Sequence, residues 1–509
     1  MGGIVAAALA TAIGVNGASA SSGDDGWWSP DDGRVMPEYV DYPNEYGKLR
    51  VLNADGAFST RDHAFFTALG TNGRACVTCH QPSDGMSLSA KTAQRRWELT
   101  NGKDPLFAAI DGSNCPSLPQ EEKASHSLLL ERGLFRIPMR WPPRDASGKA
   151  IEPEFSIEVV SDPTGCNLDP VYGLNSDNPT VSVFRRPRPA ANLRYVMQIP
   201  QGVFPYDMVF FNDRTLLPRD PETGEFVPMQ LMSDGRVNTL KEQAVDAGVH
   251  HLQVMGKKLT KKQLDQIESF ERQVYAAQVY HKLGGDLTSP DAPPGLSPNA
   301  LRDGAAGRLG NNPINKVFGS FQSWANQPEK PNETPEEKEI REFRASAARG
   351  ADIFWKRRFM IRDVGMYNDK GLGNPIKRSC GSGCHNTLLM GMDLAPGYMD
   401  LGLNNFPWQN VRTDLPLFKI TCKDNAKPQS YLGRVIYSHD PGRALVTGRC
   451  GDVGASITQQ MRGLAARAPF FMNGSSMDLR EMVDFYDRRF NIGYTESEKV
   501  DLVNFMSTL

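Results

Sequence analysis

Beyond Val15 the sequence has no long apolar run. No later stretch approaches the roughly 20 consecutive apolar residues that a transmembrane helix needs. Charge of one sign is also lacking, since the formal net charge is −2 at pH 7. A near-neutral chain gives no electrostatic reason to expect nucleic acid or an anionic membrane as a partner. We therefore expect no membrane span and neither of these partners.

Regular strands are hard to find in the sequence, so we predict a mainly α protein. A chain of 509 residues is too long for one hydrophobic core, which favours two or more domains. The charged, Pro-rich segment 327–342 is typical of a linker or an exposed helix start. It separates a predicted N-terminal domain (21–326) from a C-terminal domain (343–509). Pro-rich stretches at 141–190 and 215–230 are predicted to be loop insertions.

The first 20 residues differ from the rest of the chain. A short run of apolar and small residues from Ile4 to Val15 is followed by Ala18-Ser19-Ala20, a signal-peptidase cleavage pattern. The basic residues that usually precede such a run are missing. We predict a signal peptide at residues 1–20 and export to the periplasm; the alternative is an apolar, disordered start.

Four of the eight cysteines lie in two tight clusters. The other four fall as Cys115 with Cys166 and Cys422 with Cys450, one pair in each half. In an oxidising compartment these would be structural disulfides, whereas in the cytosol they would remain thiols. The sequence alone does not fix their connectivity. Export favours the disulfides.

The two halves of the chain repeat a pattern. In segments 234–242 and 473–481, an Asp-Gly or Asn-Gly pair is followed at the same spacing by Leu-Lys-Glu or Leu-Arg-Glu. Each segment leads to a capping box, at Thr260 and at Thr495, that opens an amphipathic stripe of helical period. A duplicated helical module explains this better than unrelated helices, because a cysteine cluster lies upstream of each copy.

The first cluster, Cys76-Val77-Thr78-Cys79-His80, has the pattern of a c-type haem attachment site. The two thiols can each add to a vinyl group of one porphyrin, and the adjacent His80 is then placed to bind the iron. A zinc site would need two further ligands at finger-like spacing, and none follows. A redox dithiol would not need His80. The cluster therefore predicts covalent haem.

The second cluster, Cys380-Gly381-Ser382-Gly383-Cys384-His385, has one residue more between its thiols. Glycine at 381 and 383 lets the loop accommodate the extra length at little steric cost. Its position in the second repeat favours a second covalent haem, held by Cys380, Cys384 and His385. The alternative is a disulfide or a single thioether bond.

With these motifs in place, the chain resembles the bacterial di-haem cytochrome c peroxidase superfamily, which includes the MauG-type enzymes. The resemblance implies two tandem cytochrome c-like haem domains with long loop insertions, a first-domain haem that meets peroxide and a second-domain haem that exchanges electrons. It covers about half of the residues. The stretches that carry it are 70–80, 234–243, 384–386, Asp440-Pro441-Gly442-Arg443 and 467–474.

The resemblance also implies iron ligands. His80 and His385 would be the proximal ligands of the two haems. The sixth ligand of the second haem is a Met in typical peroxidases and a Tyr in MauG-type enzymes, and here the position falls on Tyr486. The matching residue of the first repeat is Ala247, which cannot bind iron and would leave that haem open, unless Met86, His250 or His251 fills the site.

Peroxide cleavage needs a group that moves a proton between the two oxygens. Typical relatives use a Glu, whose position falls here on Gln253, an amide that cannot transfer a proton. His251 could take this role, and so could the adjacent His250; the sequence does not separate them. Gln243 matches a distal glutamine of the MauG-type relatives. We take His251, Gln243 and Gln253 as the candidate catalytic residues.

Two positions depart from the superfamily pattern. Ser233 stands where the peroxidases carry a Trp that lies between the haems, and Met472 replaces a His of the second domain. The first change weakens the case for fast electron transfer between the haems. The second leaves Met472 as a packing residue or a stray ligand.

Three functions follow as hypotheses. The leading one is a periplasmic di-haem oxidoreductase that reduces hydrogen peroxide, with electrons from a small c-type cytochrome or cupredoxin, or a MauG-like oxidase of an organic or protein substrate. The second is an electron-transfer cytochrome without peroxidase turnover, and the third is an assembly subunit of a dehydrogenase. The resemblance further implies calcium between the domains in some relatives, and a homodimer as a frequent assembly.

Overall fold

A computed structural model describes residues 26–145, 147–197, 222, 224, 231–256, 258–304, 321–370, 373–385, 398–408 and 412–509. The predicted signal peptide at residues 1–20 lies outside the described residues. Most of the predicted insertion at 215–230 lies outside them as well.

Helices are distributed along both halves of the described chain. They are α1 (Cys76–Cys79), α2 (Ala90–Thr100), α3 (Ser127–Arg132), α4 (Leu193–Val196), α5 (Leu240–His250), α6 (Lys261–Gln273), α7 (Pro298–Gly304), α8 (Gln322–Ala325), α9 (Pro335–Lys356), α10 (Cys380–Gly383), α11 (Ala444–Thr447), α12 (Leu479–Phe490) and α13 (Glu496–Ser507).

Strands lie between these helices. They are β1 (Val35–Met36), β2 (Tyr39–Pro43), β3 (Gly47–Asn53), β4 (Phe58–Ser59), β5 (Phe135–Arg140), β6 (Phe155–Ser161), β7 (Thr180–Arg185), β8 (Val274–His281), β9 (Gly285–Asp286), β10 (Phe359–Ile361), β11 (Ile376–Arg378), β12 (Tyr398–Met399), β13 (Leu417–Cys422), β14 (Val435–Ser438) and β15 (Ser456–Ile457).

The described part of the chain is mixed α and β, so the expectation of a mainly α protein needs correction: 31% of the described residues are helical and 19% lie in strands. The strands escaped sequence analysis because they are short and pair with distant partners. In the largest sheet, of order β2-β3-β8-β9, strands β3 and β8 are separated by more than 200 residues. Strand β8 is buried at seven of its eight positions, so it shows no alternation of polar and apolar residues.

The helices of the internal repeat form as predicted. Thr260 and Thr495 each cap a helix in a reciprocal capping box, with Gln263 and Glu498 as the respective partners. Val274 follows Phe270 at the helical spacing of the first stripe, but it caps the C-terminus of α6 and begins β8.

Helix α9 begins within the predicted linker. Thr334 caps it, so residues 335–342 form its first two turns. Further along, α9 packs on α13, where Gly350 lies so close to the carbonyl of Asp501 that a Cβ atom would collide with it. Ser346 Oγ donates to Asp501 Oδ1 at 2.6 Å, and Arg349 forms an ion pair with the same carboxylate. The contact fixes α9 to the C-terminal helix.

The predicted insertion at 141–190 contains strands. Strand β6 pairs with β13 of the predicted second domain, in a sheet of order β14-β13-β6. Nearby lies the disulfide Cys422–Cys450, and Cys115–Cys166 is the other disulfide, with Cα–Cα separations of 5.8 and 5.1 Å. Both predicted cysteine pairs are therefore confirmed as pairs.

Arg185, at the end of β7, joins motif loops of both halves. Its guanidinium forms buried ion pairs with Asp234 at 2.6 Å and with Asp440 at 2.7 Å. Because both carboxylates are also buried, removal of Arg185 would leave uncompensated charge in the interior. The Asp-Gly-Arg loop of the first repeat is thereby fixed to the Asp-Pro-Gly-Arg loop of the second.

Among the described residues, no helix combines the length and the apolar character that crossing a bilayer requires.

Candidate functional site

Each cysteine cluster borders its own cavity. The first cavity has about 1030 Å³ of empty space and is lined by Cys79 and His80, and the second has about 1150 Å³ and is lined by Cys380, Cys384 and His385. Ala247 lines the first cavity and Tyr486 the second, so the two matching positions of the repeat face equivalent spaces.

The clusters form single helical turns. Cys76–Cys79 is α1, and the nitrogen of His80 donates to the carbonyl of Cys76 at 3.1 Å. In the second cluster the nitrogen of His385 donates to the carbonyl of Cys380 at 2.9 Å, one residue further back. The turn thus absorbs the extra residue, and its histidine still lines the cavity.

His80 is held by its own loop. Its Nδ1 lies 3.0 Å from the carbonyl oxygen of Met86, which has a left-handed backbone with φ of 62°. With Nδ1 occupied by this bond, Nε2 is the nitrogen that remains for a ligand. Burial lowers the pKa of His80 to about 4, which keeps the ring neutral, as metal ligation requires.

His251 also lines the first cavity, and buried charges orient it. Helix α5 ends at His250, and His251 caps its C-terminus. His251 Nδ1 lies 2.6 Å from Asp111 Oδ2, and the other oxygen of that carboxylate forms a buried ion pair with Arg74. Burial raises the pKa of Asp111, but Arg74 and His251 outweigh it, so the net direction is downward and the carboxylate stays ionised.

His250 points elsewhere, although it is adjacent in sequence. Its Nδ1 lies 2.9 Å from the carbonyl of Asp246 and 3.3 Å from a carboxylate oxygen of the same residue. It lines two other, more open depressions and not the first cavity. Met86 is buried but does not line the first cavity either. Of Met86, His250 and His251, only His251 lines the first cavity.

Of the two candidate glutamines, only one lines the first cavity. Gln243 lines the first cavity from α5. Gln253 does not: it follows the helix with φ of 54°, and its carbonyl accepts from the backbone nitrogen of Thr71 at 3.3 Å. The prediction of a catalytic role for Gln253 is not supported, because the helix ends before this residue and turns it away from the cavity.

The second cavity is lined mainly by apolar side chains. Tyr486 lies among the rings of Phe471, Phe485 and Phe490, with centroids 5.4–6.4 Å away. Met472 lines the same cavity, so the departure at this position still places a sulfur atom beside it. His385 and Tyr486 are therefore brought to one space, as ligands of a single iron would have to be.

A thin wall separates the cavities. Ser233 lines the first cavity, and its carbonyl accepts a hydrogen bond of 2.9 Å from the nitrogen of Ile457, which lines the second. Gln460 lines both and is fixed by Ala191 and Asn192. The position at which relatives carry a Trp thus lies at the wall, where one hydrogen bond links residues of the two cavities.

Sequence analysis missed several cavity residues. Asp111 follows no motif, and its link to His251 spans 140 residues. Glu271 lines the first cavity with Oε2 buried and without a hydrogen-bond partner, and burial with the charge of Glu268 raises its pKa to about 8. The stretch Arg185-Arg186-Pro187-Arg188 also lines this cavity. Three arginines in four residues are the sequence signal by which this stretch could have been recognised.

The residues present fit covalent haem at both sites. Cys79 and His80 line the first cavity, with Cys76 at the start of the same helical turn, and Cys380, Cys384 and His385 line the second. The two disulfides leave Cys76, Cys79 and Cys380 as thiols. Burial raises the pKa of Cys79 to about 12 and that of Cys380 to about 11, so both are protonated.

A calcium ion between the domains stays a prediction. In the described part of the chain, one group of three carboxylates comes together, Glu222, Asp265 and Glu268, and it lies beside α5 and α6 in the first half. The ammonium of Lys241 lies among them, 2.6 Å from Asp265 and 2.7 Å from Glu222. The positive charge beside these carboxylates is thus supplied by Lys241.

Comparison with known proteins gives one informative similarity. The chain is 32% identical over 143 residues to a protein named cytochrome-c peroxidase IdrP1 from Pseudomonas sp. (strain SCT). The aligned part covers 25% of this chain and only 35% of that protein. No protein family profile matches the chain, and neither does any solved structure. The similarity indicates a peroxidase-like cytochrome at the coarse level.

Proposed function

We propose that this protein is a periplasmic di-haem c-type oxidoreductase that reduces hydrogen peroxide at the first cavity, with electrons relayed through the second. The two attachment motifs and the partial similarity to a cytochrome-c peroxidase support haem chemistry. The observation that carries the peroxide step is the histidine in the first cavity: His251, oriented by Asp111, shares that space with His80.

Haem c held by Cys76, Cys79 and His80 would supply an iron that binds peroxide and accepts electrons. The chain's own contribution is proton transfer. With Nδ1 fixed against Asp111, His251 can take a proton at Nε2 from one peroxide oxygen and return it to the other, so that water leaves. The ionised Asp111 favours the charged imidazolium that this step forms. Two protons and two electrons convert each peroxide to two waters.

Gln243 and Arg236 are the other polar groups that line the first cavity from the Asp-Gly-Arg loop and α5. The amide of Gln243 can donate a hydrogen bond to the substrate oxygen, which orients it without exchanging a proton. Arg236 is fixed by ion pairs to Asp234 at 3.1 Å and to Asp246 at 2.9 Å, so its charge is held in place.

At the second cavity, His385 and Tyr486 are the proposed ligand residues. The mainly apolar side chains around a metal site tune its redox potential, which is consistent with the proposed role in electron storage. A small periplasmic c-type cytochrome or cupredoxin would deliver the electrons. Tyr486 also favours a second candidate function, a MauG-like oxidase of an organic or protein substrate, because a phenolate ligand favours oxidised iron.

The test is peroxide consumption by the protein purified from cells that attach haem c, with a reduced small electron-donor protein. We expect turnover by the wild type, and a loss of about 10²- to 10⁴-fold in kcat/KM for His251→Ala. His250→Ala is the matched control, since the adjacent imidazole lines other depressions, and should keep the wild-type rate. No turnover by the wild type would favour an electron-transfer cytochrome. An active His251→Ala variant would remove His251 from the mechanism.

A further inference from the structure

Three arginines lie around the wall between the two cavities. Arg186 and Arg188 line the first cavity, and Arg467 lines the second. Arg186 and Arg467 are each only 5% exposed. They are close enough that the charges of Arg186 and Arg188 contribute, after burial, to lowering the pKa of Arg467 to about 9. We call these three residues the wall arginines.

The wall arginines bind neutral groups only. Arg186 donates to the carbonyl of Leu88 at 2.7 Å, and Arg188 donates to the carbonyls of Ile457 and Thr458, each at 3.1 Å.

Arg467 behaves in the same way, donating to the side chain of Gln459 at 3.0 Å and to the carbonyl of Gln460. In the described part of the chain, none of the three forms an ion pair with a carboxylate. Arg186 Nη1 and Arg467 Nε are buried without any hydrogen-bond partner.

The neighbouring Arg185 is also buried but, unlike the wall arginines, forms ion pairs with carboxylates. Asp234 and Asp440 take up its guanidinium on two sides, and its pKa lies above the ordinary value. Burial instead lowers the pKa of Arg186 and of Arg188 to about 10. Asp84 and Asp234 act on Arg186 and Arg188 without forming an ion pair with them. Grouped like charges without a directly bound counter-ion are costly to bury, so the wall arginines favour the binding of further anions.

We infer that the wall arginines bind the propionate carboxylates of both haems and so couple the two redox centres electrostatically. The inference rests on the proposed haem attachment. Each c-type haem brings two carboxylates into its cavity, and guanidinium groups bind carboxylates in bidentate fashion. Arg188 lines the first cavity while it holds the carbonyls of two residues that line the second. The positive charge of Arg188 therefore lies beside both cavities.

A shared charge has a measurable consequence. Positive charge near a haem stabilises its reduced form, so loss of one guanidinium should lower the midpoint potential. A purely local arginine would affect the haem of its own cavity. Loss of a wall arginine should lower the potentials of both haems, because its charge lies at the wall between the two cavities.

The experiment is a spectroelectrochemical titration of the holoprotein, after intact-mass measurement has verified two bound haems in each variant. We expect Arg188→Gln and Arg467→Gln to shift both midpoint potentials to more negative values. Arg467→Lys, which keeps the charge, should stay near the wild type and guards against a glutamine variant that does not fold.

The matched control is Arg462→Gln. Arg462 is 1% exposed and has its pKa lowered to about 9 by burial, but it donates to the carbonyls of Gly295 and Leu296 and lines neither cavity. It should leave both potentials unchanged. A shift confined to one haem, no shift with both haems in place, or an equal shift in Arg462→Gln would overturn the inference. These potentials do not depend on peroxide turnover, so failure of the proposed activity would be seen separately.

Discussion

Asp111 Oδ2 lies 2.6 Å from His251 Nδ1, and Arg74 forms an ion pair with the other oxygen of the same carboxylate. Asp111 and His251 line the same cavity as His80. Arg74 and Asp111 are almost fully buried. Asp111, held in place by Arg74, therefore presents a fixed carboxylate oxygen to the imidazole. It sets the tautomer, with hydrogen on Nδ1, and leaves Nε2 to face substrate.

Asp111→Asn should therefore lower peroxide turnover without removing the histidine. An amide can still hydrogen-bond His251, but it cannot stabilise the imidazolium, so we expect kcat/KM to fall by about 10- to 100-fold. Steady-state kinetics across pH will check this. Asp501→Asn is the control and should retain the wild-type rate, because this buried carboxylate pairs with Arg349 and lines neither cavity. Equal losses in both variants would point to general destabilisation.

Tyr486→Phe tests the sixth ligand of the second haem. A phenolate favours ferric iron, so its removal should abolish tyrosinate-to-iron bands in the resonance Raman spectrum and raise the second midpoint potential. Tyr494→Phe is the control, because Tyr494 lines the same cavity and contacts Cys380 Sγ at 4.0 Å. Unchanged spectra in Tyr486→Phe would show that this tyrosine only packs.

Glu271 should make stability depend on pH. Burial, with the charge of Glu268, raises its pKa from 4.5 to about 8 in the folded protein. The folded state then holds a proton that the unfolded state has lost, so this contribution is complete below pH 4.5 and disappears as pH rises towards 8. Glu271→Gln resembles the protonated form and should flatten this decline in thermal melts between about pH 5 and pH 8. Parallel curves for the two proteins would refute the assignment.

Gly350→Ala should weaken the packing of α9 on α13. The added methyl group would meet the carbonyl oxygen of Asp501, a backbone atom that cannot move aside easily. We expect the free energy of unfolding to fall by about 1–3 kcal/mol. Gly451→Ala is the control, since its nearest neighbour is 3.5 Å away, and should change stability by less than about 0.5 kcal/mol. Chemical denaturation measures both, and equal stability of the two variants would contradict the close contact.

The sequence predicted those parts that depend on local spacing. The two cysteine clusters, the capping boxes at Thr260 and Thr495 and the cysteine pairs are all defined by short patterns or by one residue type. The equivalence of Ala247 and Tyr486 came from the repeat, and both do line a cavity.

What the sequence could not predict depends on contacts between distant segments. His250 and His251 are indistinguishable by composition, and only the end of α5 turns one of them into the cavity. Asp111 reaches His251 across 140 residues. Strands such as β6 and β13 pair across more than 250 residues and give too short a signal to recognise.

The central claim is covalent attachment of one haem at each cluster, and intact-mass spectrometry under denaturing conditions tests it most directly. Protein purified from cells that attach haem c should exceed the mass of the polypeptide by two haem groups. Cys76→Ser/Cys79→Ser should lose one of them, and Cys380→Ser/Cys384→Ser should lose the other. A wild-type protein with the mass of the bare polypeptide would contradict the account.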